Sequence, residues 1–443
     1  MIRRVRVSCR MSLIRRCLVA VFLCVALVGL LAGCTSTEQA DEHTSSSDPV
    51  TVQPEFAPSA PSIRTVQLYR GDDERSLPVI TLNSDEALTL EFDLMELQGR
   101  PLSVYFEHAD RTWKRDLSPS QALESFQNDR LVNYQSSRGT EVSYVHYQYR
   151  FPNDDIRFRI SGNYVLRVTE RGRRDSVLLE QPFFVAEETG GLKLQGESIA
   201  VPGQRQPSLR PIARFRPPAE IQGDPFGHTA CFVRNGRLTD TRCEERPLLV
   251  RQPELEFELA RDRAYAPSMT EYALDLSTLR STSQIARVDR SQTPFRVMLD
   301  ADYARFEGTA SGLTANGQTV VRGALSDRVD PSVRAEYVET RFAFVPSDAQ
   351  SYSRPFTVAG SFSGMDPARG TTMEWSPARE QYEGTVLLKQ GRHQYFYSTS
   401  DPAFAKQKQS QQARARSTYT AFVYYRDNRR NTDRLLRVSG FAP

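Results

Sequence analysis

Apolar side chains return at every second position in one stretch of this chain after another, as in Leu88, Leu90, Phe92 and Leu94, or Tyr164, Leu166 and Val168. Such alternation sends one row of side chains into a core and the other into solvent, which is the pattern of a half-buried β-strand. No long stretch carries the three- and four-residue spacing of an amphipathic helix. With 18 Tyr, 23 Phe, recurring turn pairs and short distances between strands, the chain is expected to form antiparallel sheets packed face to face.

About 380 residues follow Ile63, too many for one core and enough for three domains of ordinary size. The expectation is an all-β fold of three consecutive antiparallel β-sandwiches of immunoglobulin-like or E-set-like build. The first spans 63–188 and includes a hairpin from Ile156–Ile160 through Ser161-Gly162-Asn163 to Tyr164–Val168. Its one short helix is expected over Ser118 to Gln127, where Ser118 offers a cap and Pro119 a first-turn proline. Residues 189–218, rich in Gly and Pro, read as a linker. A middle sandwich covers 219–348, and a third covers 353–443, opening at Phe356 and closing with the aromatic strand Tyr419 to Tyr425.

The N-terminal end has a different composition. Arg3, Arg4, Arg6, Arg10, Arg15 and Arg16 precede an apolar run from Leu18 to Leu31, and then come Leu31-Ala32-Gly33-Cys34. This is the layout of an export signal, and the run is shorter than the roughly 20 residues a spanning helix needs. Residues 1–33 are therefore expected to be a lipoprotein signal peptide, with Met11 as a second plausible start and Cys34 as the lipidated first residue of the mature chain. Two or three acyl chains suffice for stable anchoring. Thr35, in place of Asp, favours the outer membrane over the inner one, with the body facing the periplasm. From 34 to 62 the sequence is mostly Ser, Thr, Glu, Asp and Pro and reads as a disordered tether. Loss of the six leader arginines turns the formal charge of +3 into −3. That removes the electrostatic case for nucleic-acid binding.

A search for chemistry finds little. The five histidines show no HExxH or paired metal-ligand spacing, and there is no CxxC, nucleophile elbow, P-loop or dinucleotide fingerprint. No enzyme activity, cofactor, metal or small-molecule substrate is expected. His146, within Val142–Tyr149, reads as a packed or surface strand histidine. Asp72-Asp73, Asp154-Asp155 and Glu244-Glu245 are sequence neighbours and would point to opposite faces of a strand. The basic runs Arg171–Arg174 and Arg426–Arg434 read as solvated hairpin loops. Cys231 and Cys243 remain after the signal is removed, and an oxidising compartment favours a bridge between them. A two-residue turn at Asn235-Gly236 would instead set Cys231 opposite Asp240, leaving Cys243 about 10 Å farther along. Only a bulge or wider loop would close that gap, so the residues leave the pairing open.

Several stretches resemble one family. Ile63–Arg70, Pro78–Asn83, Phe106–Trp113, Leu117–Ser120, Val142–Asp155 and Arg157–Tyr164 in the first domain are similar to the plug proteins of the type IX secretion system. Val233–Arg237, Tyr272–Leu276, Tyr382–Gly391 and Asp433–Leu435 extend the likeness over nearly the whole mature chain. The resemblance implies a three-domain β protein at the outer membrane. Its partner would be the giant translocon β-barrel, whose periplasmic mouth it closes while no cargo passes. These stretches specify a fold and give no interface motif, so no contact residue carries over. An Arg-rich composition and the Lys406 to Arg416 insertion set this chain apart.

The alternative is a glycan-binding or adhesive cell-surface lipoprotein. Val358–Ser363, Trp375, Tyr382–Gly384 and Tyr395–Tyr397 resemble sandwich modules of starch-handling enzymes, and Trp113 and Trp375 are the only tryptophans available as flat sugar platforms.

Overall fold

The computed structural model describes residues 51–442, apart from Gln53, 203–206, Gln252, 267–270, 305–316, 324–329 and 411–416. The signal motif Leu31-Ala32-Gly33, the lipidation site Cys34 and most of the expected tether lie outside the described residues. The fold is nearly all strand and its sheets are chiefly antiparallel.

The first sandwich is formed by two sheets. One runs Val79–Thr81, Val177–Ala186, Gly162–Glu170, Leu102–Ala109, Asn128–Leu131, and the other Ile63–Arg70, Leu88–Leu94, Val145–Phe151, Tyr134–Ser136. The apolar row enters the core as expected, with Leu88, Leu90, Phe92 and Leu94 joining Phe106, Phe151, Tyr164 and Phe183, but the alternate row Thr89, Glu91 and Asp93 is buried as well and does not face solvent. The expected helix shrinks to Pro119–Ala122. Residues 156–160 keep the alternation, with Ile156, Phe158 and Ile160 buried, but they do not form a hairpin with Tyr164–Val168. They pair irregularly with the helix exit through a Leu123–Phe158 bridge, Glu124 N donating to Arg157 O and Arg159 N to Ala122 O. Burial period alone does not say which neighbour a strand will find.

Most of the described part of the expected linker is strand. Gly191–Ile199 and Ser208–Arg216 form a hairpin in register over nine residues, and Glu254–Glu258 and Leu248–Arg251 complete this sheet. Facing it is a sheet in the order Thr51–Val52, Thr241–Glu244, His228–Arg234, Tyr419–Asp427, Thr432–Phe441. The strand Tyr419–Asp427, expected to close the third sandwich, instead pairs along His228–Arg234, and Thr432–Phe441 follows it. The shared core holds Phe215, Phe232, Phe257, Tyr265, Val423 and Leu436. The aromatic composition of Tyr419–Tyr425 marks a buried strand but carries no address for its partner some 190 residues earlier.

Between those two halves of the middle sandwich lies the third. Its strands run Tyr272–Asp275, Gly391–Ser398, Phe356–Gly360, Thr371–Ser376, Gln381–Lys389, Tyr337–Val345, Phe295–Leu299, Ile285–Asp289. Its core gathers Phe342, Phe344, Phe356, Tyr382 and Tyr397. The helix Pro402–Ser410 buries Phe404 against Phe344 and Phe356. Asp401 caps it by accepting from Ala403 N at 2.8 Å, with Pro402 in the first turn. No described helix is long and apolar enough to cross a membrane.

The last part of the expected tether is also ordered. Thr51 and Val52 pair with Arg242 and Thr241, and Phe56 packs edge-on against Trp113 with ring centroids 5.2 Å apart. Phe56 and a sheet edge thus hold this stretch, together with the hydrogen bonds from Ala57 N to Glu180 and from Ala60 N to Leu178 O.

Candidate functional site

The chemistry of the described chain concentrates where its sandwiches meet. On Leu88–Leu94 the apolar row faces inward, so Glu91 and Asp93 share the opposite face, where the third sandwich covers them. Directly across the strand pairs, Asp93 lies opposite His146 and Glu91 opposite Gln148. From the other side come Tyr337 and Lys389, themselves cross-strand partners. Asp93 accepts from Lys389 Nζ at 2.6 Å, Tyr337 Oη at 2.6 Å and His146 Nδ1 at 2.8 Å. Lys389 also donates to Ser332 O at 2.6 Å and lies 4.3 Å from the Tyr144 ring centroid.

Burial opposes every charge in this group; the partners outweigh it at Asp93, Glu91 and His146, whereas at Lys389 burial outweighs the pull of Asp93 and lowers the ammonium from its ordinary value. The Asp93 carboxyl is held below its usual range because Lys389 and His146 overcome its desolvation. Burial pulls His146 down, but Asp93 and Glu91 push it further up, to about 9. Glu91 and Asp93 thus face His146 and Lys389 across the junction. His146 lies on a strand, as its neighbours imply, and it is the buried one of the two settings the sequence left open; the ion cluster is not legible locally because Lys389 stands 243 residues away. The detectable signal was two acids at alternate positions inside an otherwise apolar strand.

The same interface carries a further set of polar contacts. Tyr144 Oη donates to Ala335 O at 2.9 Å, Glu141 N to Glu336 Oε2 at 2.7 Å, and Val321 N to Glu74 Oε2 at 2.8 Å. A second junction joins the first sandwich to the middle one. Trp113, Val165 and Phe184 pack on Cys231, Cys243, Phe422 and Leu435 in one core. Around it Arg111 reaches buried Asp433 at 3.0 Å and Glu245 at 2.7 Å, Arg434 pairs with Glu187 at 2.6 Å, and Tyr424 Oη donates to Asn163 Oδ1 at 2.8 Å. Between the middle and third sandwiches, Arg237 stacks 4.1 Å from the Phe396 ring and pairs with Glu271 at 2.7 Å. All three sandwiches border a cavity of about 610 Å³ lined by residues such as Phe56, Leu77, Phe184, Leu238, Met365 and Thr385.

Cys231 and Cys243 face each other, their α-carbons 3.9 Å apart, and are joined. Asn235 and Gly236 do adopt the left-handed turn conformation, with φ of 53° and 70°. The 3₁₀ turn Leu238–Asp240 is then inserted before the strand resumes, shifting the register by three residues from the simple hairpin. The basic run Arg171–Arg174 is an exposed loop, with Arg174 lying 5.3 Å from the Tyr105 ring centroid. Part of Arg426–Arg434 instead ties the sandwiches together through Arg434. Asp154 and Asp155 are exposed.

Both ring nitrogens of His108 are engaged, Nδ1 with Asp116 at 2.7 Å and Nε2 with Ser161 O at 3.2 Å. Among the described residues no three His, Cys, Asp or Glu side chains converge as metal ligands. The arrangement defines a class: a multi-sandwich β protein whose polar chemistry holds its domains against one another. Residues 63–187 match the family model for the first domain of the type 9 secretion system plug protein. Residues 63–187 thus carry a domain of the plug protein family of the type IX secretion system, and its presence suggests a role for the chain in type IX secretion. The family is a secretion-system component and is not known as an enzyme family.

Among solved structures, a hypothetical protein from Parabacteroides merdae superimposes with a TM-score of 0.78 at 20% identity, covering 88% of this chain and 100% of that one. This likeness is one of fold. Salmonella alpha-2-macroglobulin, with a TM-score of 0.17, 12% identity and coverage of 88% of this chain and 24% of its own, is too distant to inform the fold. No curated protein matches the sequence.

Proposed function

We propose that this protein is a non-catalytic outer-membrane lipoprotein that plugs the periplasmic end of the type IX translocon barrel and keeps the pore sealed while it is idle. The family match over residues 63–187 carries this reading. The physics of the body supports it. An obstruction must keep its shape against a broad rim, and the sandwiches are joined by a buried ion pair, an apolar core containing a disulfide, and a cation stacked on an aromatic ring. The anchor on Cys34 would confine the search for the barrel to two dimensions and raise the local concentration. The body faces the periplasm.

The glycan-binding alternative loses most of its aromatic surface. Trp113 is buried against Phe56 and Phe184, and Tyr395 and Tyr397 belong to the third core.

The test is to isolate the lipoprotein from solubilised outer membranes and identify what accompanies it. Stoichiometric recovery of the giant barrel is the expected result, and its absence under mild detergent would overturn the reading.

A further inference from the structure

The stretch between Thr51 and Ala60 touches every sandwich. Thr51 and Val52 extend the middle sandwich's sheet at Thr241–Glu244. Phe56 enters the aromatic group of Trp113, Phe184 and Phe422 beside the disulfide. Ala57 N donates to Glu180 Oε2 at 2.7 Å and Ala60 N to Leu178 O at 2.7 Å, both on the first sandwich. From the third, Arg369 donates to Phe56 O at 2.8 Å. Pro54, Phe56, Pro58 and Ser59 form one wall of the three-way cavity.

We infer that residues 51–60 are a latch whose docking sets the free length between Cys34 and the body. The sheet contribution is two residues at an edge, and the apolar side chains that pack on a core are the half-buried ring of Phe56 and the methyl of Ala60. So few contacts place the segment at the low end of local stability, where opening precedes global unfolding. Docked, seventeen residue steps separate Cys34 from Thr51, a contour of at most about 60 Å. Released as far as Ile63, the separation is twenty-nine steps and the contour about 100 Å. Whatever the conformation of the residues before Thr51, the body gains about 40 Å of reach, and the cavity loses a wall. A tethered obstruction can then stand aside from its pore without leaving the membrane. That consequence rests on the lipid anchor proposed above; the latch itself does not.

The test uses the full mature chain carrying Cys34→Ser, so that acylation plays no part. Trp375→Phe leaves Trp113 as the one remaining tryptophan. In that background Phe56→Ala should expose Trp113, with red-shifted emission and a severalfold larger acrylamide quenching constant. Amide exchange at Val52 and across Thr241–Glu244 should be at least tenfold faster than in Leu88–Leu94. A Val52→Cys/Thr241→Cys pair, once oxidised, should slow it by a similar factor. If the segment exchanges only with the core, it is a permanent strand and the latch is wrong. The same holds if Phe56→Ala leaves Trp113 emission and quenching unchanged. Separately, palmitate labelling of the wild-type precursor tests the anchor: no label on Cys34 would overturn the reach argument and the lipoprotein reading, while the exchange results would still decide the latch.

Discussion

Lys389 Nζ meets Asp93 Oδ2 at 2.6 Å with both side chains 1% exposed, although 296 residues separate them in the chain. A buried pair of this kind contributes little net stability over an apolar pair of similar volume, but breaking it leaves a charge in a low-dielectric interior. Its effect is to tie the first sandwich to the third in one register.

Lys389→Met should therefore destabilise the protein by about 3–5 kcal/mol, and Asp93→Asn by a comparable amount. The double variant should recover most of the loss. Thermal unfolding of the three variants measures this, and additive losses would show that the two groups act independently.

His146 gives the same junction a pH dependence. Its pKa is raised from an ordinary 6.5 to about 9 in the folded protein, so the protonated form contributes stability that is complete below pH 6.5 and lost as pH rises through 9. The loss should reach about 3 kcal/mol. Comparing unfolding at pH 7 and pH 10 in wild type and His146→Gln should show a steeper alkaline decline in the wild type; equal slopes would contradict the assignment.

Gly162 has φ of 148°, and a Cβ there would stand 2.3 Å from His108 Nε2 and 3.2 Å from Asp433 O. Gly162→Ala should cost about 2–4 kcal/mol, from backbone strain and overpacking at the junction. Gly172, with φ of 72° but open space around it, is the control. Gly172→Ala should cost about 1 kcal/mol by the same assay.

Removing the disulfide by Cys231→Ala/Cys243→Ala should cost about 3 kcal/mol by the loop-entropy estimate. Because both residues share a core with Trp113, the emission of that tryptophan should change in the same transition. A separate, earlier Trp113 transition would mean that the junction opens by itself.

The fold class was legible because the two-residue alternation of apolar side chains is a local property, and Leu88–Leu94 or Tyr164–Val168 carry it in their own residues. Partnership is not local. Nothing in Tyr419–Asp427 names His228–Arg234 as its neighbour, and the prolines of 202–218 suggested a joint where Ser208–Arg216 forms a strand that accommodates Pro211. The Asn235-Gly236 turn was read correctly, yet the Leu238–Asp240 insertion decided which residue Cys231 would face. The polar junction was the least visible part. Asp93, His146, Tyr337 and Lys389 are unremarkable strand residues singly, and their chemistry exists only once two sandwiches meet.

The central claim concerns obstruction of a pore, and the permeability of the living outer membrane tests it most directly. In a strain lacking this protein but retaining the secretion barrel, uptake of small hydrophilic solutes normally excluded from the periplasm should rise, and re-expression should restore the barrier. Permeability that remained at the wild-type level in the deletion strain, with the barrel still present, would contradict the account.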